Sequence, residues 1–258
     1  MTPALDILPL TLDGVSLHRG GKRVLKDIVC QFDGEPRRTL IVGPNGAGKS
    51  LLLRVCHGMV MPDSGTVAWR CPGPAADLSR MQSMVFQRPV LLRRTAAENV
   101  AFALKLRGVP HAERVARVAD ALQRTGLTRL ADAPARRLSF GEQQRLALAR
   151  VIAIRPRVLF LDEPTASLDP AAAHLVEEIV MDLSAEGVRI IMTSHDLNQA
   201  RRLAEEVIFM YRGRIKERAP AAQFFDGPRN DLARAFLQGE LLWWPHRSVY
   251  GDCRNEET

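Results

Sequence analysis

Residues 43–50 read GPNGAGKS and fit the pattern GxxxxGK[ST]. The run follows the apolar segment TLIVG and precedes the helical-looking LLLRVCHG, which is the context in which such a loop wraps an anion. Gly43, Gly46 and Gly48 let successive backbone N–H groups turn inward around a phosphate, with Pro44, Asn45 and Ala47 completing the loop. Lys49 would reach the outer phosphates of a nucleotide, and the Ser50 hydroxyl would ligate a magnesium ion.

Further downstream, VLFLDEP ends an apolar run on two adjacent acids, Asp162 and Glu163. Burying both without a metal or other partner would be costly, so the pair points to chemistry: Asp162 holding the magnesium through water, Glu163 polarising an attacking water. The bland alternative is that Glu163 opens a solvated loop. His195 closes IIMTSH, and Gln87 ends SMVFQ, where its amide could contact the metal or the water. If these runs are parallel strands, Gly43, Asp162, His195 and Gln87 all fall at carboxyl ends on one edge.

Stepping outward to the elements that must position them, TLIVG (39–43), SMVF (83–86), RVLFLD (157–162) and RIIMTSH (189–195) have the length and the Val, Ile and Phe content of buried strands. EVIFMYRGRIKERA predicts a hairpin turning at Arg212 and Gly213. A helix is predicted from Pro170 to Glu186, capped by Asp169 and stopped by Gly187, with Leu175, Val176, Ile179, Val180 and Leu183 on its apolar face. Residues 94–150 carry almost no strand signal; TAAENVAFALKLRG and HAERVARVADALQRTG have helical periodicity and end in glycine, a helical block set within a strand-rich frame.

The 258 residues are 46% apolar and 25% charged, an ordinary globular composition. The formal charge of +7 permits nucleic acid or an acidic membrane surface as partner, but the arginines are scattered and form no long tract, as on a solvated surface. Cys30, Cys56, Cys71 and Cys253 show neither CxxC spacing nor a disulfide-rich density, which fits a reducing compartment. Asp6 and Asp13 interrupt the first apolar stretch, so it lacks a signal-peptide core, and no run approaches the roughly 18 uncharged apolar residues of a membrane span. A cytoplasmic protein is expected, with any membrane role coming through a partner. The last forty residues read as a short helical appendage and a polar end, within which LLWW (241–244) is an apolar patch for packing or for a partner.

Taken together, these residues resemble the nucleotide-binding subunit of the ABC transporter superfamily over nearly the whole chain. The motifs stand in family order: phosphate loop at 43–50, glutamine loop at Gln87, signature at 138–142, Asp162 with Glu163, SLD at 167–169, and His195. The resemblance implies an α/β fold, a P-loop NTPase (RecA-like) core with an inserted α-helical subdomain and an antiparallel β region. It implies one ABC ATPase domain over 1–258: a core at 8–90 and 151–218, a helical signature subdomain at 91–150, and an appendage at 219–258. It also implies ATP and Mg2+ as ligands and a head-to-tail homodimer, each ATP held between one subunit's phosphate loop and the other's signature. By resemblance Glu163 is the general base, His195 contacts the γ-phosphate, Asp169 communicates across the dimer, and Gln87 couples the site to an integral membrane permease.

Two positions depart from the family pattern. The aromatic residue that stacks on adenine falls at His18, whose imidazole offers less area than Tyr. The signature reads LSFGE rather than LSGGQ: Ser139 and Gly141 are kept, Phe140 still offers its backbone N–H, and Glu142 forms with Ser139 the S-x-x-E of a capping box. A helix start so defined aims its free N–H groups in one direction, as a γ-phosphate contact requires. VFQRPVLLRRTAAENVAFALKLRGVP and FFDGPRNDLARAFLQGELLW are similar to the ATP-binding subunits of bacterial tungstate importers, relatives of those for molybdate and phosphate. That implies a subunit at the cytoplasmic face of the inner membrane, served by an extracytoplasmic anion-binding protein, with phosphate, molybdate or a polar amino acid as other cargoes. A soluble ABC ATPase acting on nucleic acid or ribosomes is the reading from another class. Those carry a long coiled-coil insertion or two ATPase domains in one chain, and neither is present here.

Overall fold

The computed structural model describes residues 7–70 and 75–240; Cys71, Cys253 and the LLWW patch lie outside them. The chain opens with β1 (Leu10–Arg19), β2 (Lys22–Phe32) and β3 (Arg38–Val42), then α1 (Lys49–His57), β4 (Ser64–Trp69), α2 (Ala75–Met81) and β5 (Gln82–Val85). Three helices follow, α3 (Ala96–Leu106), α4 (His111–Arg124) and α5 (Phe140–Ile154), before β6 (Val158–Asp162), α6 (Pro170–Ala185), β7 (Arg189–Thr193) and α7 (Leu197–Leu203). The hairpin β8 (Glu206–Tyr211) and β9 (Arg214–Pro220) and the short helices α8 (Ala221–Asp226) and α9 (Asp231–Leu237) close it.

The architecture is α/β. A six-stranded sheet runs in the order β5-β6-β7-β3-β8-β9, parallel except for β9. Its central strands β6, β7, β3 and β8 read as near-continuous apolar runs because both faces are covered. Leu40, Leu159, Leu161, Ile190 and Phe209 point into one core with α5 and α6. Their neighbours Ile41, Phe160, Ile191 and Ile208 point into a second core with α1 and the other sheet. A strand's period of two divides each run between the cores.

The second sheet, antiparallel in the order β2-β1-β4, is the antiparallel region that the resemblance implies. It lies over the second core through Leu10, Leu12, Leu17, Leu25 and Phe32. The hairpin β8–β9 turns at Arg212 and Gly213 with φ of 50° and 77°, the left-handed pair that a two-residue turn between twisted strands demands.

Three expectations need correction. Leu175 is 42% exposed and lies off the buried face of α6, where Glu177, Ser184 and the other named apolar residues are buried instead. The strand β7 ends at Thr193, so His195 stands two residues beyond it. Likewise β5 covers Gln82–Val85, and Gln87 lies in the following bend.

Candidate functional site

The sheet order decides the site. Because β7 is hydrogen-bonded to both β3 and β6, the loops after these three strands meet at one edge. They carry the phosphate loop, the Asp162–Glu163 pair and His195.

The phosphate loop leaves β3 at Gly43, whose φ is 146°. A Cβ there would lie 2.1 Å from the carbonyl oxygen of Met210 on the neighbouring β8, so no other residue fits. The loop leads directly into α1, whose first turn has no side-chain cap; its N–H groups are offered to a ligand rather than to the protein. The Lys49 side chain is 5% exposed and folds back on the loop, Nζ donating to the carbonyls of Gly43 at 2.8 Å and Pro44 at 3.3 Å. Burial pulls its ammonium pKa below the ordinary 10.5, although the charge of Glu163, 3.6 Å away, acts the other way.

A cavity of about 570 Å³ opens over this loop, lined by Asn45 to Leu51, Val24, Gln87, Glu163, Ala166 and His195. The volume is in the range of small-molecule and cofactor sites. A second cavity of about 400 Å³ lies on the other side of Glu163, Ala166 and His195, bounded by α6 and α7. The Glu163–His195 pair is thus the wall between the two.

Glu163 is held in an unusual way. Its φ of 44° is left-handed, a conformation that costs a non-glycine residue roughly 1–2 kcal/mol. Thr193 at the end of β7 secures it: the hydroxyl accepts from the Glu163 N–H at 3.0 Å and donates to Asp162 Oδ1 at 3.0 Å. The Glu163 carboxylate, 14% exposed, has Oε1 toward Lys49 and Oε2 3.0 Å from Nδ1 of half-exposed His195. A carboxylate so placed can orient a water against a phosphorus held by the loop, and an imidazole beside it can donate to a phosphoryl oxygen. Asp162 is buried, with Oδ2 3.8 Å from the Arg54 guanidinium.

The signature residues stand apart from this cavity. Ser139 caps α5, its hydroxyl accepting from Glu142 N–H while Glu142 Oε2 accepts from Ser139 N–H at 2.8 Å and from the Ser139 hydroxyl at 2.9 Å. The carboxylate is therefore turned back on its own helix start. Phe140 is half-buried. Gly141 has an intramolecular reason to lack a side chain: a Cβ would lie 3.1 Å from Ala172 Cβ on α6. Asp169 caps α6 through the Ala172 N–H at 2.9 Å, so the signature helix and the SLD turn are packed on one another.

His18 is exposed at the end of β1 and does not line the phosphate cavity. Asp63 accepts from its backbone N–H, and the same carboxylate oxygen is 3.1 Å from its Nδ1. Val24, Thr193 and Asp63 were not legible as site residues from sequence. For Thr193 there was one signal, a hydroxyl ending an otherwise apolar strand beside the Ser-His pair.

A phosphate loop at the carboxyl edge of a parallel sheet, with an Asp-Glu pair at the end of the next strand but one, defines a P-loop ATPase. The ABC transporter family model matches residues 31–166. The tungstate uptake system ATP-binding protein TupC of Peptoclostridium acidaminophilum is 37% identical over 211 residues, 81% of this chain and 98% of that protein. A phosphate import ATP-binding protein, PstB 2 of Natronomonas pharaonis, is 34% identical over 251 residues, 91% of this chain and 88% of that one. Methionine import ATP-binding protein MetN of Brucella abortus is 36% identical over 77% of this chain and 56% of its own length. Among solved structures, cbiO1 from Clostridium perfringens, part of the ABC transporter complex cbiONQ, superposes with a TM-score of 0.76 at 31% identity, covering 86% of this chain and 92% of that one. The dimeric post-hydrolysis state of the ATP-binding cassette MJ0796 with ADP and Pi superposes at 0.72 and 26% identity, over 82% and 98% of the two chains. The chain belongs to the ABC transporter family, as an ATP-binding ATPase subunit.

Proposed function

We propose that this protein is the ATP-hydrolysing subunit of an importer for an oxyanion, tungstate foremost. The observation that carries the cargo reading is the match to a tungstate uptake subunit over 98% of that subunit's length. Phosphate is the second reading, favoured by the longer alignment, over 91% of this chain, to a phosphate import subunit.

In this reading two copies associate head to tail; that a structural neighbour with bound ADP and Pi is dimeric supports the pairing. The phosphate loop of one copy, residues 43–50, binds the ATP phosphates; Ser139, Gly141 and the N–H groups starting α5 of the other meet the γ-phosphate; Asp169 lies between them. His18 faces adenine. Ser50, Gln87 and Asp162 supply a hydroxyl, an amide and a carboxylate oxygen, a hard-donor set that fits Mg2+ held jointly with phosphates. The ion supplies charge neutralisation on the phosphates when bound. Among the described residues no cluster of three His, Cys, Asp or Glu could hold a metal without them. Glu163 takes the proton of the attacking water, and His195 holds the γ-phosphate in line.

Coupling runs through the helical block. An apolar groove of about 350 Å³ lies between the segment after β5 and helices α3 and α5, lined by Phe86, Pro89, Phe102 and Val151. Val90 and Leu106 on it are 71% and 69% exposed, large apolar surface beside Gln87. An integral membrane permease covers it, so that docking moves Gln87 at the site's edge. None of the described helices is long and apolar enough to cross a membrane, and the subunit reaches the cytoplasmic face of the membrane through that permease. An extracytoplasmic binding protein delivers the anion; nucleic acid takes no part. In the assembled transporter, tungstate-loaded binding protein is expected to stimulate ATP hydrolysis severalfold and phosphate to leave it unchanged. Stimulation by phosphate alone reverses the cargo assignment.

A further inference from the structure

Behind the Glu163–His195 wall lies a buried polar network that the reaction as described does not use. At its centre is Gln199 on α7, 2% exposed. Its amide oxygen accepts from the Ser194 hydroxyl at 2.9 Å; its amide nitrogen donates to Thr165 Oγ1 at 2.7 Å and to Glu177 Oε1 at 3.1 Å. Both amide protons and the oxygen are engaged, so the amide has a single satisfied orientation, with nitrogen toward the carboxylate. Glu177, 6% exposed on α6, is held in turn by Arg202, whose Nε and Nη2 reach its two oxygens at 3.0 and 2.7 Å. Asp196 caps α7 onto the N–H groups of Asn198 and Gln199, fixing the backbone from which the amide extends.

The partners of that amide are informative. Ser194 directly precedes His195, and Thr165 follows Glu163 by two residues. One side chain therefore bridges the two loops that carry the proposed base and the proposed γ-phosphate contact, and its anchor is the ion pair between buried Glu177 on α6 and half-exposed Arg202 on α7. That ion pair already ties the two helices together. The bond to Thr165 instead joins α7 to the loop after Glu163.

We propose that Gln199 is a positioning residue for ATP hydrolysis: through Thr165 and Ser194 it holds the Glu163 and His195 loops at the spacing that the attacking water and the γ-phosphate require. The proposal rests on the reading of Glu163 and His195 given above. The amide of Gln199 is itself 2% exposed, so water competes little for the groups it bridges.

The test uses the full chain, with kcat and KM for ATP, ATP affinity by titration, and the melting midpoint measured together. T165V keeps the size of the side chain and removes the acceptor. It is expected to lower kcat about tenfold, less than the ~100-fold that a misplacement of about 1 Å can cost, with KM, affinity and midpoint unchanged. T165S, which restores the hydroxyl, should return kcat to within about twofold of the parent. Q199L should lower kcat at least as far, and also the midpoint, since Glu177 loses a donor. The proposal is overturned by a T165V protein with parental kcat, by equal losses in T165V and T165S, or by a kcat loss matched by an equal loss of ATP affinity. The base assignment fails separately, if E163Q turns over near the parental rate.

Discussion

Glu163 Oε2 and His195 Nδ1 lie 3.0 Å apart although 32 residues separate them in sequence, and the other oxygen of the same carboxylate faces Lys49 at 3.6 Å. The carboxylate is thus held between the group proposed to meet the γ-phosphate and the group proposed to reach the outer phosphates. Glu163→Gln keeps the shape and removes the proton acceptor. Turnover should fall by about 100-fold or more while ATP still binds and traps a closed dimer, read by phosphate release and by size-exclusion chromatography with ATP. Hydrolysis near the parental rate would show that another group takes the proton.

Lys49 donates to Gly43 and Pro44 carbonyls here, so ATP must draw it off its own loop. Lys49→Ala should weaken ATP binding roughly tenfold or more, the worth of a charge-assisted hydrogen bond. Burial lowers the pKa of the ammonium from 10.5, whereas bound phosphates raise it. ATP therefore binds the protonated form better: affinity should fall as pH rises through the lowered pKa, with net proton uptake on binding. Calorimetry in buffers of different ionisation enthalpy measures that uptake, and Lys49→Arg should abolish it.

The Ser139–Glu142 capping box gives Glu142 a structural role, distinct from the one proposed for Glu163. Glu142→Gln can still reach the Ser139 N–H and should leave ATPase activity within a few-fold. Ser139→Ala removes the cap and should cost about 1 kcal/mol of stability in denaturant titration. An activity loss in Glu142→Gln as large as in Glu163→Gln would give the carboxylate a role beyond the cap.

Gly141 sits where a Cβ would press on Ala172 at 3.1 Å. Gly141→Ala should force the start of α5 away from α6 at a cost of about 1–3 kcal/mol. Activity should fall with ATP affinity of the isolated subunit unchanged, since the phosphate loop is untouched. Unchanged activity and melting midpoint would mean the contact yields.

His18 is the residue proposed to stack on adenine, with less aromatic area than Tyr, and Asp63 holds its backbone. His18→Tyr should tighten ATP modestly. An unchanged or weaker affinity by titration would remove His18 from the adenine site.

Much of this was legible locally. GPNGAGKS carries its own mechanism, because backbone N–H groups crowded by glycines before a helix can serve few purposes besides an anion. The caps Ser139 and Asp169 and the turn at Arg212 and Gly213 were equally legible, being settled within four residues by hydrogen bonds and φ signs. The three-stranded sheet was harder to read, since β1 mixes buried and exposed positions irregularly and is broken by bulges, and β4 has no buried position to mark its face. Leu175 misled because periodicity defines a face only to within a residue or so, and the partner that would cover it is a tertiary fact.

By itself, then, the sequence determined the phosphate loop, the buried strands and the helix ends, all of which depend on interactions between near neighbours in the chain. Only the tertiary structure decided that β7 would lie between β3 and β6, which places His195 against Glu163. The same long-range packing gave Gly43 its reason in the Met210 carbonyl, gave Thr193 its hold on the strained Glu163, and set Gln199 between the loops that carry Glu163 and His195. Strand order and helix docking come from burying apolar faces between distant segments, and no window of sequence contains both halves of such a contact.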